Sequence, residues 1–154
     1  GRSKQGKTEL SGRNSRLDNL QAAYLNYFLK NHFDKWIERR KVISQTYDRI
    51  LGDLSSIRIP SYNCRPNLIP VYQNYELLAE DRDGLKSYLN GKGIGTLVQW
   101  GGHSIHRTSV FAKKSALKAT DNYFDKCLML PLNQTITAEV AEYIGTQVRR
   151  YYGK

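Results

Sequence analysis

His103 and His106 lie three positions apart in Gly101-Gly102-His103-Ser104-Ile105-His106, a spacing at which two imidazoles can converge on one metal ion. A protein zinc site needs at least a third ligand, and the two cysteines, Cys64 and Cys127, are distant in sequence and lie in no CxxC or CxxH spacing. No metal site is expected, and the same two thiols suggest no disulfide framework. A stronger chemical reading starts at Trp100, which precedes two glycines and the two imidazoles. An aromatic face, a pliable backbone and two polar rings in one loop are suited to lining a polar substrate pocket. The plain alternative is a surface turn anchored by the tryptophan. Gly91-Lys92-Gly93-Ile94-Gly95 resembles a phosphate-cradling loop, but it follows a predicted helix and precedes a predicted strand, the reverse of a dinucleotide fingerprint, so turn chemistry is expected. There is no nucleophile elbow, HExxH, Walker lysine or obvious carboxylate pair, hence no self-contained catalytic apparatus.

The elements that must position these residues follow from periodicity. Ser15-Arg16-Leu17-Asp18 fits a capping box, so a helix is expected to start near Ser15. Leu17, Leu20, Tyr24, Tyr27 and Phe28, then Trp36, Ile37, Ile43, Tyr47, Ile50 and Leu51, recur at spacings of three and four, which predicts one buried stripe along a long helix or helix pair. Asn31-His32 is its weakest point and Gly52 its stop. Apolar and polar residues alternate from 71 to 78, predicting a strand, and a short helix is expected over Asp81–Asn90 despite Gly84. A second strand, Gly95–Trp100, should follow. Asp121–Leu128 then reads as a helix, Met129–Leu132 as an extended apolar bridge, and Thr137 as the cap of a last helix whose Val140, Ile144, Val148 and Tyr151 share one face.

The chain has 154 residues, 40% hydrophobic, a size and composition that support one soluble domain with its own core. No apolar run approaches membrane-spanning length, and Gly1–Gly12 is basic without the apolar core of a signal peptide, so a cytoplasmic location is expected. Twenty-four Lys and Arg against 14 Asp and Glu leave a net charge of +10, which attracts phosphates, nucleotides, nucleic acid or an anionic surface without choosing among them. The densest run, Glu38-Arg39-Arg40-Lys41, is expected to form solvated pairs on a helix face.

The segment Gly12-Arg13-Asn14-Ser15-Arg16-Leu17-Asp18-Asn19-Leu20-Gln21-Ala22-Ala23 resembles the G-x-N-x-R-[ML]-x-x-[LI]-Q-A-A signature of the DegT/DnrJ/StrS family of sugar aminotransferases. The resemblance continues in order through Asp34-Lys35-Trp36 with Arg39-Arg40, Tyr72-Gln73-Asn74-Tyr75, Gly93-Ile94-Gly95-Thr96 and Leu130-Pro131-Leu132-Asn133, from about Ser11 to Tyr152. It implies a fold-type-I, pyridoxal-phosphate-dependent transaminase that acts on a nucleotide-linked keto sugar with glutamate or glutamine as donor. It also implies an α/β (α+β) architecture: residues 1–13 as a lead-in or cut end, 14–52 as the long connecting helix region, and 53–154 as a small sheet with helices packed on it. The family's large cofactor-binding domain, with the lysine that carries the cofactor, lies upstream of the signature and is expected to be outside this chain. Lys4 and Lys7 are too close to the signature to be that lysine.

By the same resemblance, Asn14 and Arg16 are expected to reach the phosphate of the cofactor, Asn14 across a homodimer to the neighbouring subunit. Trp100, His103 and His106 are expected near the substrate, although the usual Y-P-x-P-x-H is replaced here by Trp100-Gly101-Gly102-His103-Ser104-Ile105-His106. The chain alone is then inactive and functions with a large pyridoxal-phosphate-binding domain or subunit. Two rival readings are a basic non-catalytic module that grips nucleotide or nucleic-acid phosphates, and a split-gene partner subunit. Nucleic acid is the less expected partner, because the eleven tyrosines fall mostly at periodic positions that read as core.

Overall fold

A computed structural model of the chain describes residues 16–60, 70–108 and 116–153, which divide into two compact units, residues 1–35 and 36–154. The first unit carries helix α1, Asn19–Asn31. Its cap is Asp18, whose carboxylate accepts a 2.9 Å hydrogen bond from the Gln21 N–H. The helix thus starts later than expected, and the Ser15 half of the capping box lies outside the described residues. The expected bend is present: the Asn31 amide donates back to the Tyr27 carbonyl at 2.7 Å, and His32 leaves helical geometry with φ −129°. The forecast of one buried stripe is corrected here. No α1 residue is buried, and Leu17, Leu20, Tyr24 and Tyr27 are all more than half exposed.

Helix α2, Phe33–Leu51, ends where Gly52 was expected to stop it, and its second half is the spine of the other unit. Ile43, Tyr47 and Leu51 are buried at helical spacing against a three-stranded antiparallel sheet in the order β1-β2-β3. Strand β2, Tyr75–Ala79, is central; β1 is Ile57–Arg58 and β3 is Cys127–Leu130. Pairing Tyr75 with Leu130 and Leu77 with Leu128 puts Tyr75, Leu77, Ala79, Leu128 and Leu130 on the core face, since side chains alternate along a strand. Helix α3, Arg82–Gly91, adds Leu85 and Leu89 to this core, and α5, Ala138–Tyr151, adds Ala141, Ile144 and Val148. Val140, expected on that face, is exposed.

The α/β reading therefore holds, with five helices and a small sheet among the described residues, but three elements differ from expectation. The strand expected over 71–78 begins only at Tyr75, and Tyr72 before it takes a left-handed φ of 48°. Gly95–Trp100 is not a strand. Among the described residues it pairs through a single bridge, Leu97 with Met129, after which the chain turns tightly. The apolar bridge is shifted as well: α4 is Lys118–Lys126, and Cys127–Leu130 forms β3 against β2. Thr137 caps α5 as expected, its hydroxyl accepting from the Val140 N–H. Among the described residues no helix is long and apolar enough to cross a membrane.

Candidate functional site

The segment that leaves the Leu97 bridge holds three of the expected site residues. Trp100, Gly101 and Gly102 take consecutive left-handed conformations, with φ of 52°, 65° and 78°. Glycine adopts them without penalty, whereas for tryptophan they cost free energy that the surroundings must offset. A Cβ on Gly102 would come within 3.0 Å of the Arg82 guanidinium, which is itself anchored by donation to the Phe124 carbonyl at 2.9 Å. The two glycines thus let the chain fold back over Arg82, and Trp100 is left 77% exposed. The reading of Trp100 as an anchor for a surface turn is not supported, since its ring is not packed inward.

Beyond the glycines the turn is tied down by one carboxylate. Asp121, in the first turn of α4, uses Oδ1 to accept from the buried Ser104 hydroxyl at 3.0 Å and to meet His106 Nε2 at 3.1 Å. Its Oδ2 pairs with the Arg107 guanidinium at 2.7 Å. The Arg107 hydrogen bond is the main cause that holds the Asp121 carboxyl below the usual carboxylate range, with Ser104 adding to it, and Arg107 is raised in return. The His106 side chain is only 10% exposed, and its Nδ1 is buried with no hydrogen-bond partner among the described residues. His103 is exposed and takes no part in this cluster. The two imidazoles therefore do not converge. Asp121 was missed by sequence reasoning, because an acid in the first turn of a helix is ordinarily explained by the helix dipole alone.

The other expectations are distributed as follows. Asn14 lies outside the described residues. Arg16 is exposed ahead of α1, and its guanidinium has the chemistry to meet a phosphate oxygen. The Gly91–Gly95 cluster is turn chemistry: Gly93 has φ 75°, and the N–H groups of Gly93 and Ile94 donate to the α3 carbonyls of Asn90 and Leu89. In the basic run only Lys41 pairs locally, with Glu38 at 3.4 Å. Arg39 instead donates to the Ile136 carbonyl, and Arg40 to those of Tyr72 and Gln73, so the expectation of a merely solvated face is corrected. On the sheet face opposite the core, Glu76 lies with Tyr123 and Cys127; burial and this carboxylate raise the Cys127 thiol and push the Tyr123 phenol up to about 12. An open concavity lined by Arg58, Asn74, Glu76 and Tyr123 occupies that face.

Comparison with known proteins gives the chain a family. The model of the DegT/DnrJ/EryC1/StrS aminotransferase family matches residues 1–149. The dTDP-3-amino-3,4,6-trideoxy-alpha-D-glucose transaminase of Streptomyces venezuelae is 30% identical over 147 residues, covering 93% of this chain and 38% of that protein. The pleiotropic regulatory protein of Geobacillus stearothermophilus is 29% identical over 145 residues, covering 92% and 38%. Among solved structures, S. venezuelae DesV superposes with a TM-score of 0.79 at 29% identity, covering 99% of this chain and 41% of that one. The chain thus spans about two fifths of the length of these relatives.

Proposed function

Because the chain belongs to the DegT/DnrJ/EryC1/StrS aminotransferase family, we propose that it is the C-terminal part of a pyridoxal-phosphate-dependent enzyme that aminates a nucleotide-linked keto sugar. The observation that carries the proposal is the match along nearly the whole chain to a relative named as a dTDP-amino-sugar transaminase. In this reading residues 14–52 form the connecting helix region and 53–154 the small domain. Asn14 and Arg16 would contact the phosphate of pyridoxal phosphate, and Trp100, His103 and His106 would line the sugar-nucleotide side. The cofactor, when bound, supplies an electron sink for breaking bonds at the amino-bearing carbon. This chain contributes pocket walls and a dimer contact, while the lysine that holds the cofactor belongs to the large domain, in a cytoplasmic homodimer using glutamate or glutamine as donor.

The outward sheet face and the exposed Trp100 support a wall that meets another surface rather than water. The intact mass of the protein made from its native gene tests the proposal first. A product of roughly 40 kDa or more, the size of two or three domains, that is labelled by borohydride in the presence of pyridoxal phosphate and transfers nitrogen from glutamate to a keto-sugar nucleotide is expected. A product of 17.7 kDa with no copurifying chain that carries the lysine would overturn it.

A further inference from the structure

The outward face of the sheet carries a concavity of about 360 Å³, within the roughly 300–1,000 Å³ range of small-molecule sites. We propose that it binds a free α-amino acid with an apolar side chain, the ligand's carboxylate on Arg58, its ammonium on Glu76 and its side chain against Ile59, Pro60 and Leu78. The inference does not rest on the aminotransferase reading.

The strand register places the two charges. Arg58 on β1 stands directly across from Leu78 on β2, so Glu76, two residues along β2, is its diagonal neighbour on the same outward face. Such neighbours are about 7–8 Å apart, a span that leaves room for a small zwitterion between the side chains. Both residues line the concavity, and among the described residues no ion pair joins them and the exposed Arg58 side chain has no partner. Glu80, the other diagonal neighbour of Arg58, shares a smaller hollow with Lys126, which balances its charge. Tyr123 on α4 forms the wall beside Glu76, and its phenol hydrogen-bonds that carboxylate. A carboxylate has about four lone-pair sites, so Glu76 can still accept from an ammonium.

Charge balance selects the ligand class. A simple anion gains at Arg58 and is repelled by Glu76, and a simple amine meets the reverse, whereas a zwitterion satisfies both at once. Ile59, Pro60 and Leu78 supply the apolar part of the lining. Against them a second ligand carboxylate would lose water without gaining a partner, so an apolar side chain is favoured over that of glutamate.

Calorimetric titration of the full chain with leucine, with amide spectra of the 15N-labelled chain, tests the site. Leucine is expected to bind and to move the signals of residues 58, 59 and 76–78. Isocaproate, which is leucine without its ammonium, and isoamylamine, which is leucine without its carboxylate, are each expected to bind roughly tenfold or more weakly, the worth of one charge-assisted hydrogen bond. Arg58→Gln and Glu76→Gln are expected to weaken leucine by the same factor, with amide signals away from the concavity unchanged as the sign of an intact fold. The analogue series decides the matter without the variants should either fail to fold.

Absence of leucine binding, or shifts centred elsewhere, overturns the site. Isocaproate or isoamylamine binding as tightly as leucine overturns the zwitterion assignment, as does inorganic phosphate that moves the same signals as strongly. Glutamate binding as tightly as leucine overturns the apolar side-chain assignment. None of these readouts uses pyridoxal phosphate or a keto sugar, so this site and the proposed transamination stand or fall separately.

Discussion

Tyr47 and Tyr75 bring two hydroxyls into the core, and each has a partner there. Their rings are fully buried with centroids 4.8 Å apart; the Tyr47 hydroxyl donates to the Pro131 carbonyl at 2.8 Å and the Tyr75 hydroxyl to Asp48 at 2.7 Å. Burial raises the Tyr47 phenol well above its ordinary range, so it remains a donor at any ordinary pH. Tyr47→Phe keeps the ring but leaves a carbonyl unpaired at the end of β3, and a loss of about 1–3 kcal/mol in urea unfolding is expected; unchanged stability would show that this bond is replaced by solvent. Asp121 gives a pH prediction with a definite sign. Its carboxyl is lowered in the folded chain, so its contribution is complete above the unfolded value near 4 and is lost as pH falls through the lowered folded value. Amide signals of residues 104–107 should therefore move together as pH falls below about 4. Signals that stay unchanged below about 4 would show that this carboxylate does not hold the turn.

At the scale of elements, α3 and α5 are held by a contact that makes Gly84 intelligible. Asp81 caps α3 by accepting from the Gly84 N–H and also accepts from the Tyr151 hydroxyl near the end of α5, which lowers the Asp81 carboxyl. A Cβ on Gly84 would run into both the Tyr151 hydroxyl and the Asp81 carboxylate. By helix propensity alone Gly84→Ala gains about 1 kcal/mol. The packing predicts the opposite sign, a loss of roughly 1–3 kcal/mol in thermal or urea unfolding, because the cap and the interhelical hydrogen bond must both move. A stabilised variant would show that Tyr151 swings aside at little cost. Gly145 follows the same logic on the other side of α5, where a Cβ would come within 3.0 Å of the Ile50 side chain on α2.

At the scale of the whole molecule, the net charge of +10 is less concentrated than its arithmetic suggests. Arg39 and Arg40 bind carbonyls in other parts of the second unit, Arg82 binds the Phe124 carbonyl, Arg107 pairs with Asp121, and Arg149 pairs with Asp53 while donating to the Ile50 carbonyl. These guanidiniums stitch elements together. A module built to grip a polyphosphate backbone would instead present them side by side. A single-stranded oligonucleotide is therefore expected to bind weakly in fluorescence anisotropy, with a salt slope of about one to two neutralised phosphates. Tight binding with a slope of six or more would favour the rival binding-module reading over the enzyme.

Legibility in the sequence follows the range of the interaction responsible. The break at Asn31-His32, the stop at Gly52, the cap at Thr137 and the turn at Gly93 are set by contacts within a few residues, and the chain itself determined them. The ordered motifs that mark the family were equally plain, because they are local strings. Interactions between distant residues were decided only in three dimensions. Leu97 makes one bridge instead of a strand because β3 meets it only at Met129. The apolar α1 residues lie exposed because periodicity reports that a face is apolar and not whether anything covers it. His106 was visible as a residue type, but its partner Asp121 was not, since a carboxylate chooses among nearby donors by distance, and only the folding of the 104–107 turn onto α4 supplies that distance.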